Sequence, residues 1–420
     1  MINKMKKQIV FVEPYSTVMI YKLAMLLRKK GYETVLIQIL GNKGVSKEFH
    51  NIAFDKIIYF NVNFFKMNFK NFKYIFLSIT KNVKTIIKAV VESLRLKPYA
   101  VLVRASPNWP SAISRILTKR AAFIYFPYDI RSQSYDTLER AKKAGVPKFE
   151  IKSERFCFEH ADGIMHKGDP NELKFLENRM LGKNIKLPHN QLSFFPYCAG
   201  EFIIPINKNK LSKKDGGIHI VFVNSMGAVG PGGETSVFDN FVPFVKAGIH
   251  IHLYSIPNSG SNEQVRKFFT EDSAFTRDYK ELITSKFFHY HDPVEPNMLS
   301  KEISKYDFGM WTSPEKREGN IEPDMATGNR LASYLEAGIP LISNSSYKFV
   351  NKLGHDYGIA VSYNLEDKEQ MKNIKKIISK LDMKKIEKNI INARKDFLME
   401  KNVNRFEEFM EKVSKNKKRR

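Results

Sequence analysis

Cysteine is almost missing from this chain: there are two in 420 residues, Cys157 and Cys198, far apart in sequence. That pair builds neither a disulfide framework nor a cysteine-rich metal cluster, and the scarcity suits a reducing compartment. Acidic residues are short too, 44 against 69 Lys and Arg. Long apolar runs are absent, and no stretch approaches the length needed to cross a bilayer. The first run, Ile9-Val10-Phe11-Val12, stops at Glu13 and is too short for the apolar core of a secretory signal. The expectation is a cytoplasmic protein.

What is present sets further bounds. A hydrophobic content of 43% allows full cores and excludes a disordered chain. The length allows two or three domains. A formal charge of +25 and a pI near 9.7 imply attraction to phosphate, nucleic acid or anionic lipid and say nothing about fold.

Residues 8–12 form a short apolar run of buried-strand type, and Ile20, Leu23, Ala24 and Leu27 mark one helix face that ends at Gly31. Thr34 to Ile37 begins the next strand. Strand, helix, strand with short links is a βαβ unit and implies a parallel sheet. Further strands are expected at 56–60, 99–103 and 121–126. The polar, glycine-containing segment 205–217 reads as a linker. The pattern then restarts with strands at 219–223, 249–253, 287–291 and 306–311, and residues 367–415 read as a terminal helical stretch.

The most informative segment is 328–342, Gly-Asn-Arg-Leu-Ala-Ser-Tyr-Leu-Glu-Ala-Gly-Ile-Pro-Leu-Ile. Leu331, Tyr334 and Leu335 share a helical face. Gly338 stands where a helix needs a left-handed closing residue, and Pro340 prevents its continuation. The helix start near Thr327, Gly328 and Asn329 offers backbone N–H groups and a positive dipole end to a phosphate, with Arg330 in the first turn.

This segment resembles the donor-binding helix of GT-B glycosyltransferases, particularly the family-4-like group, through Arg330, Leu331, Tyr334, Leu335, Ala337, Gly338, Pro340 and Ile342. The resemblance implies two Rossmann-like, doubly wound parallel-sheet domains facing a cleft. It sets an acceptor-side domain at 1–204, the linker at 205–217, a nucleotide-sugar domain at 218–385 and a crossing helix with a basic tail at 386–420. It also implies a retaining, metal-independent sugar transfer with no cofactor beyond the donor substrate. Two positions depart from the family: Ser333 stands where a glutamate grips the ribose, and Met325 where a catalytic-region glutamate stands.

Under that resemblance Arg330 neutralises the departing phosphate, with Thr327, Gly328, Asn329 and Ser333 around it. Gly227, Gly232 and Gly233 belong to a loop whose backbone approaches phosphate. The family's arginine and lysine after that loop are missing, and Lys316 or Arg317 replaces them. Glu322 or Asp324 touches sugar hydroxyls. On the acceptor side, Tyr15 and Ser16 follow the first strand, Arg104 stands where relatives often carry histidine, Asp129 orients a hydroxyl and Arg131 binds an acceptor phosphate. A local Asp129–Arg131 pair is the simpler alternative. His250 and His252, like His289 and His291, share one side of a strand, but no Asp or Cys completes a metal set, and they read as packing or surface residues.

Residues 62–97 interleave Phe64, Phe65, Phe69, Phe72, Tyr74 and Phe76 with lysines, which suits contact with an anionic membrane face and a lipid-linked or polysaccharide acceptor. Core aromatics under a solvated lysine face are the alternative. Three rivals stay open: a GT-B-fold nucleotide-sugar 2-epimerase, a non-catalytic GT-B-like binding protein, and an RNA-binding protein, for which no recognition motif is present.

Overall fold

The computed structural model describes residues 6–15, 17–39, 47–60, 84, 86–105, 107–117, 121–179, 185–225, 237–256, 277–312 and 319–418. The first sheet holds β1 (Gln8–Glu13), β2 (Glu33–Gln38), β3 (Lys56–Tyr59), β4 (Ala100–Ala105), β5 (Ala122–Pro127), β6 (Gly163–His166) and β7 (Gln191–Ser193) in the order β3-β2-β1-β4-β5-β6-β7. The second holds β8 (His219–Ser225), β9 (His250–Ile256), β10 (Phe288–His291), β11 (Phe308–Trp311), β12 (Leu341–Asn344) and β13 (Ala360–Tyr363) in the order β10-β9-β8-β11-β12-β13.

Every strand pairing is parallel; Val10, for example, lies opposite Val35 on one side and Val101 on the other. Parallel sheets are covered on both faces, so their strands read as unbroken apolar runs. In β4 and β5 every residue is buried. The helix Val18–Lys29 links β1 to β2, and Gly31 closes its end at φ 91°. That angle is cheap only for glycine.

The chain divides into two compact units. One is Met1–Phe195 with Gly319–Glu322 and Asn402–Arg420; the other is Pro196–Glu318 with Pro323–Lys401. The chain thus leaves the first unit at Pro196. Residues 205–217, read from sequence as a linker, run along the surface of the second unit, where the Lys210 ammonium donates to the carbonyls of Ser304 and Tyr306 at 2.8 Å each. Val10, Val35, Val101, Phe123 and Ile164 anchor the first core. Ile220, Phe222, Phe241, Phe244 and Met310 anchor the second.

The terminal helical stretch expected at 367–415 is four helices, Lys368–Lys372, Ile374–Ser379, Met383–Asp396 and Met399–Lys418. The first start and one restart are capped. The Asp367 carboxylate accepts from the Gln370 N–H at 2.8 Å, and Asp382 accepts from the Lys385 N–H at 3.0 Å. The last break, at Phe397 and Leu398, is where Cys198 pairs with Leu398 as an isolated parallel bridge.

Candidate functional site

In doubly wound sheets ligands meet the carboxyl ends of strands, at the point where strand order reverses. In the second sheet that point lies between β8 and β11. The helix Asn329–Ala337 delivers Arg330 to it. The Arg330 guanidinium lies 5.0 Å from the Phe222 ring of β8 and 4.7 Å from the Trp311 ring of β11, and donates to the Thr312 carbonyl at 2.9 Å. Cation–π contact and one hydrogen bond fix its direction.

The fastening of that helix comes from Tyr334, one turn further on. Its hydroxyl faces the carbonyls of Met310 at 3.0 Å and Val221 at 3.3 Å and accepts from the Val223 N–H at 3.3 Å. Burial pushes the phenol up to about 12, so it stays protonated and donating. Gly309 on β11 makes room for the ring, since a Cβ there would lie 2.4 Å from it. The helix starts at Gly328, an extended residue with no side-chain cap, and closes at Gly338 with φ 72°. Its first turn therefore keeps the anion-attracting character of a helix N-terminus. Thr327 is buried at this start, and the Ser333 hydroxyl is turned back onto the Asn329 carbonyl at 3.2 Å. Beneath, Asn240 gathers Thr312, Asn344 and Tyr363 through its side-chain oxygen, at 2.6, 3.2 and 3.2 Å.

Asp324 belongs to this second unit and lies 3.5 Å from the Lys348 ammonium. Glu322, only two residues earlier, belongs to the first unit. Gly227, Gly232, Gly233, Lys316, Arg317 and Ser16 lie outside the described residues.

The carboxyl ends of the first sheet are held by four glutamates that sequence reasoning missed. Glu13 closes β1 and accepts from the hydroxyl and N–H of Thr17 at 2.7 and 3.3 Å. Glu150 and Glu154 sit one turn apart on the helix Lys148–His160. Glu150 accepts from Asn108 and Trp109 after β4. Glu154 accepts from the N–H groups of Arg131 and Ser132 after β5, at 2.6 and 3.2 Å. Glu172 ties His166 of β6 at 2.6 Å and the Gly168 N–H at 3.2 Å. All four are buried. Burial is also why Glu13 and Glu154 are pushed up to about 7. Their only sequence signal is position: a carboxylate at a strand's carboxyl end, and a spacing of four within one helix.

On this frame Asp129, Arg131, Arg104 and Glu322 come together with Lys167, a further residue that sequence reading missed. The Lys167 ammonium lies 3.5 Å from Asp129 and 3.7 Å over the Tyr128 ring, and the Arg104 guanidinium lies 4.4 Å over the same ring. Arg104 also stands 3.8 Å from Glu13 and 3.4 Å from the Tyr15 carbonyl. Ser134 donates to Glu322 at 3.3 Å. Burial and the Asp129 charge raise the Glu322 carboxyl above its ordinary range, against the pull of Lys167 and Arg131. Burial opposes the charge on Lys167, but the Tyr128, Asp129, Glu322 and Glu172 groups outweigh it and raise that ammonium. The sequence alternative of a local Asp129–Arg131 pair is replaced by Asp129 with Lys167. The carboxylates of Asp129 and Glu322 thus stand near the Lys167 ammonium.

A second constellation sits at the opposite end of the second sheet. His219 and His250 open β8 and β9, and His252, His289 and His291 continue the same face; rings pair at 4.4 Å for His219 with His250 and for His252 with His289.

No family model matches this chain, and no curated protein matches it in sequence. Solved structures do match in fold. Sucrose-phosphate synthase from Thermosynechococcus elongatus superposes with a TM-score of 0.64 at 10% identity, covering 97% of this chain and 99% of that one. HepE of Anabaena, solved with UDP-glucose, gives 0.59 at 11% identity over 97% and 99%. WaaG, a glycosyltransferase involved in lipopolysaccharide biosynthesis, gives 0.58 at 12% identity over 97% and 98%. Two parallel Rossmann-like sheets, matched over nearly the full length of such enzymes, give this chain the GT-B fold.

Proposed function

We propose that the protein is a glycosyltransferase that moves a sugar from a nucleotide-sugar donor to a lipid-linked or polysaccharide acceptor at the cytoplasmic face of a membrane. The observation that carries this reading is Arg330 held over the β8/β11 switch point at a helix start. A diphosphate on the first-turn amides there gains from the helix dipole and the guanidinium together. Charge grows on the leaving phosphate as the glycosidic bond breaks, so Arg330 stabilises the transition state more than the bound donor. HepE, a fold neighbour, was solved with UDP and with UDP-glucose, which favours a uridine donor.

In this proposal the acceptor lies on the first unit, with Asp129 and Glu322 orienting its hydroxyl and Arg104, Arg131 and Lys167 meeting a negative group on it. The departing phosphate takes the acceptor proton, and the new bond keeps the donor's configuration; no metal is required. The membrane face is supported by residues 86–94, a helical segment on which Ile87, Val91 and Leu94 are 56%, 40% and 61% exposed beside Lys84, Lys88, Arg95 and Lys97. A spacing of four then three puts the apolar residues on one face, ready for the headgroup boundary. Among the described residues no helix is long and apolar enough to cross a bilayer.

The test is a thermal-shift panel of UDP-, GDP-, ADP-, dTDP- and CMP-sugars, repeated on Arg330→Ala. A ligand at about 100 times its dissociation constant stabilises by about 2.7 kcal/mol. One nucleotide class is expected to raise the midpoint in the native protein and to lose that effect in the variant. Absence of any shift in the native protein overturns the donor site and leaves the non-catalytic reading, which the replacements at Ser333 and Met325 favour.

A further inference from the structure

We propose that His219, His250 and His252 form a binding site for a divalent transition-metal ion of the zinc class, at the amino ends of β8 and β9. One ring nitrogen from each of these residues lies within 4.8 Å of the other two. The pair His219 Nδ1 and His252 Nε2 is already 2.9 Å apart. Two imidazoles bound at about 2.0–2.1 Å in tetrahedral geometry place their nitrogens about 3.3 Å apart. His219 and His252 therefore need only a small opening, and His250 a turn of its ring toward them.

The surrounding bonds are those a metal-bound histidine pair requires. A ligating imidazole donates its other N–H to a carboxylate or another acceptor, which fixes tautomer and ring direction. His219 Nε2 lies 3.0 Å from the Asp215 carboxylate, and His252 Nδ1 lies 2.9 Å from His291 Nε2. His250 Nδ1 lies 2.9 Å from His289 Nε2. Each prospective ligand thus has an outer partner. In the metal-free array one N–H bridges His219 and His252. On binding, that proton passes from His252 Nε2 to Nδ1 and His291 moves its own from Nε2 to Nδ1, so that His291 Nε2 accepts from His252 Nδ1 and both facing lone pairs turn to the ion.

The cost of the arrangement argues the same way. His219 and His252 are 3% and 4% exposed, on a sheet face that apolar side chains would fill more cheaply. His250 is half-buried and Asp215 exposed, which gives the ion a way in from solvent. Imidazole ligands suit zinc, nickel, copper and cobalt over magnesium or calcium.

The experiment uses the full chain without an affinity tag, dialysed against chelator and then titrated with Zn²⁺ by calorimetry and with Co²⁺ by visible absorption. One equivalent of Zn²⁺ and the intense d–d bands of four-coordinate cobalt are expected. The exposed variant Asp215→Asn is expected to weaken binding about 10–100-fold with an unchanged far-ultraviolet spectrum. His250→Gln, also at a partly exposed position, is expected to abolish the cobalt bands. No saturable binding at one equivalent, or equal affinity in His250→Gln, overturns the site and leaves a hydrogen-bonded histidine array. Sugar-nucleotide stabilisation is read separately and does not enter this result.

Discussion

Arg330 points over the switch point because Tyr334 fastens the same helix to two strands. Removing the Tyr334 hydroxyl leaves buried backbone groups of Val221, Val223 and Met310 short of a partner. Tyr334→Phe is therefore expected to cost about 1–3 kcal/mol in urea unfolding. Gly309→Ala is expected to cost more, because its methyl would meet the ring 2.4 Å away and the ring cannot retreat without losing those bonds. Both should weaken donor binding while Arg330 itself is intact, read as a smaller thermal shift with the donor. At this scale the places of Arg330 in the first turn and of Gly338 at the close were legible in sequence because both are local to one helix. Tyr334 was legible only as an apolar-face residue. Its partner Gly309 is 25 positions away by number, and no periodicity connects them.

The strands were legible because parallel strands buried on both faces leave unbroken apolar runs. The links between them were harder to read. Glu13, Glu150, Glu154 and Glu172 look like ordinary charged positions in a polar sequence, yet each collects the N–H groups of a loop at a strand's carboxyl end. The start of the terminal stretch and its break before Met383 were written in Asp367 and Asp382, whose side chains cap the helices that follow them. The glutamates have a pH signature. Glu13 and Glu154 rise from 4.5 to about 7 in the folded state. Between those values the folded chain keeps protons that the unfolded chain has released, so stability falls as pH rises from about 4.5 through about 7. The effect is on the order of 1–3 kcal/mol per group. Trp109 lies in the first unit and Trp311 in the second. Fluorescence of a Trp311→Phe chain therefore follows the first unit alone, and Glu154→Gln should flatten its pH slope.

Over the whole molecule, the charge of +25 gives long-range attraction to anionic surfaces, and the proposed membrane contact uses the exposed face of Ile87, Val91 and Leu94. Binding to vesicles containing anionic phosphatidylglycerol is expected to weaken with salt and to drop several-fold in Ile87→Asp/Leu94→Asp, as measured by co-sedimentation. Unchanged binding in that variant would remove residues 86–94 from the membrane contact. The division into units was legible from the repeated strand–helix pattern. The return of the chain was expected only through the resemblance, as a crossing helix at 386–420; nothing local marks Asn402 as the point where it rejoins the first unit.

That return is substantial. Phe406, Phe409, Met410 and Val413 of the last helix are buried, with Phe406 6.0 Å from Phe194 and Phe409 and Val413 packed on Gly163. Phe406→Ala is expected to cost about 3–5 kcal/mol, read through Trp109. The same packing orders events during synthesis. Residues 1–195 lack their closing piece until residues 402–418 clear the ribosome, so the first unit waits, incomplete, while the second is made. Stalled nascent chains ending before residue 402 should be cut readily by protease in that half, and should resist it once the full chain is released.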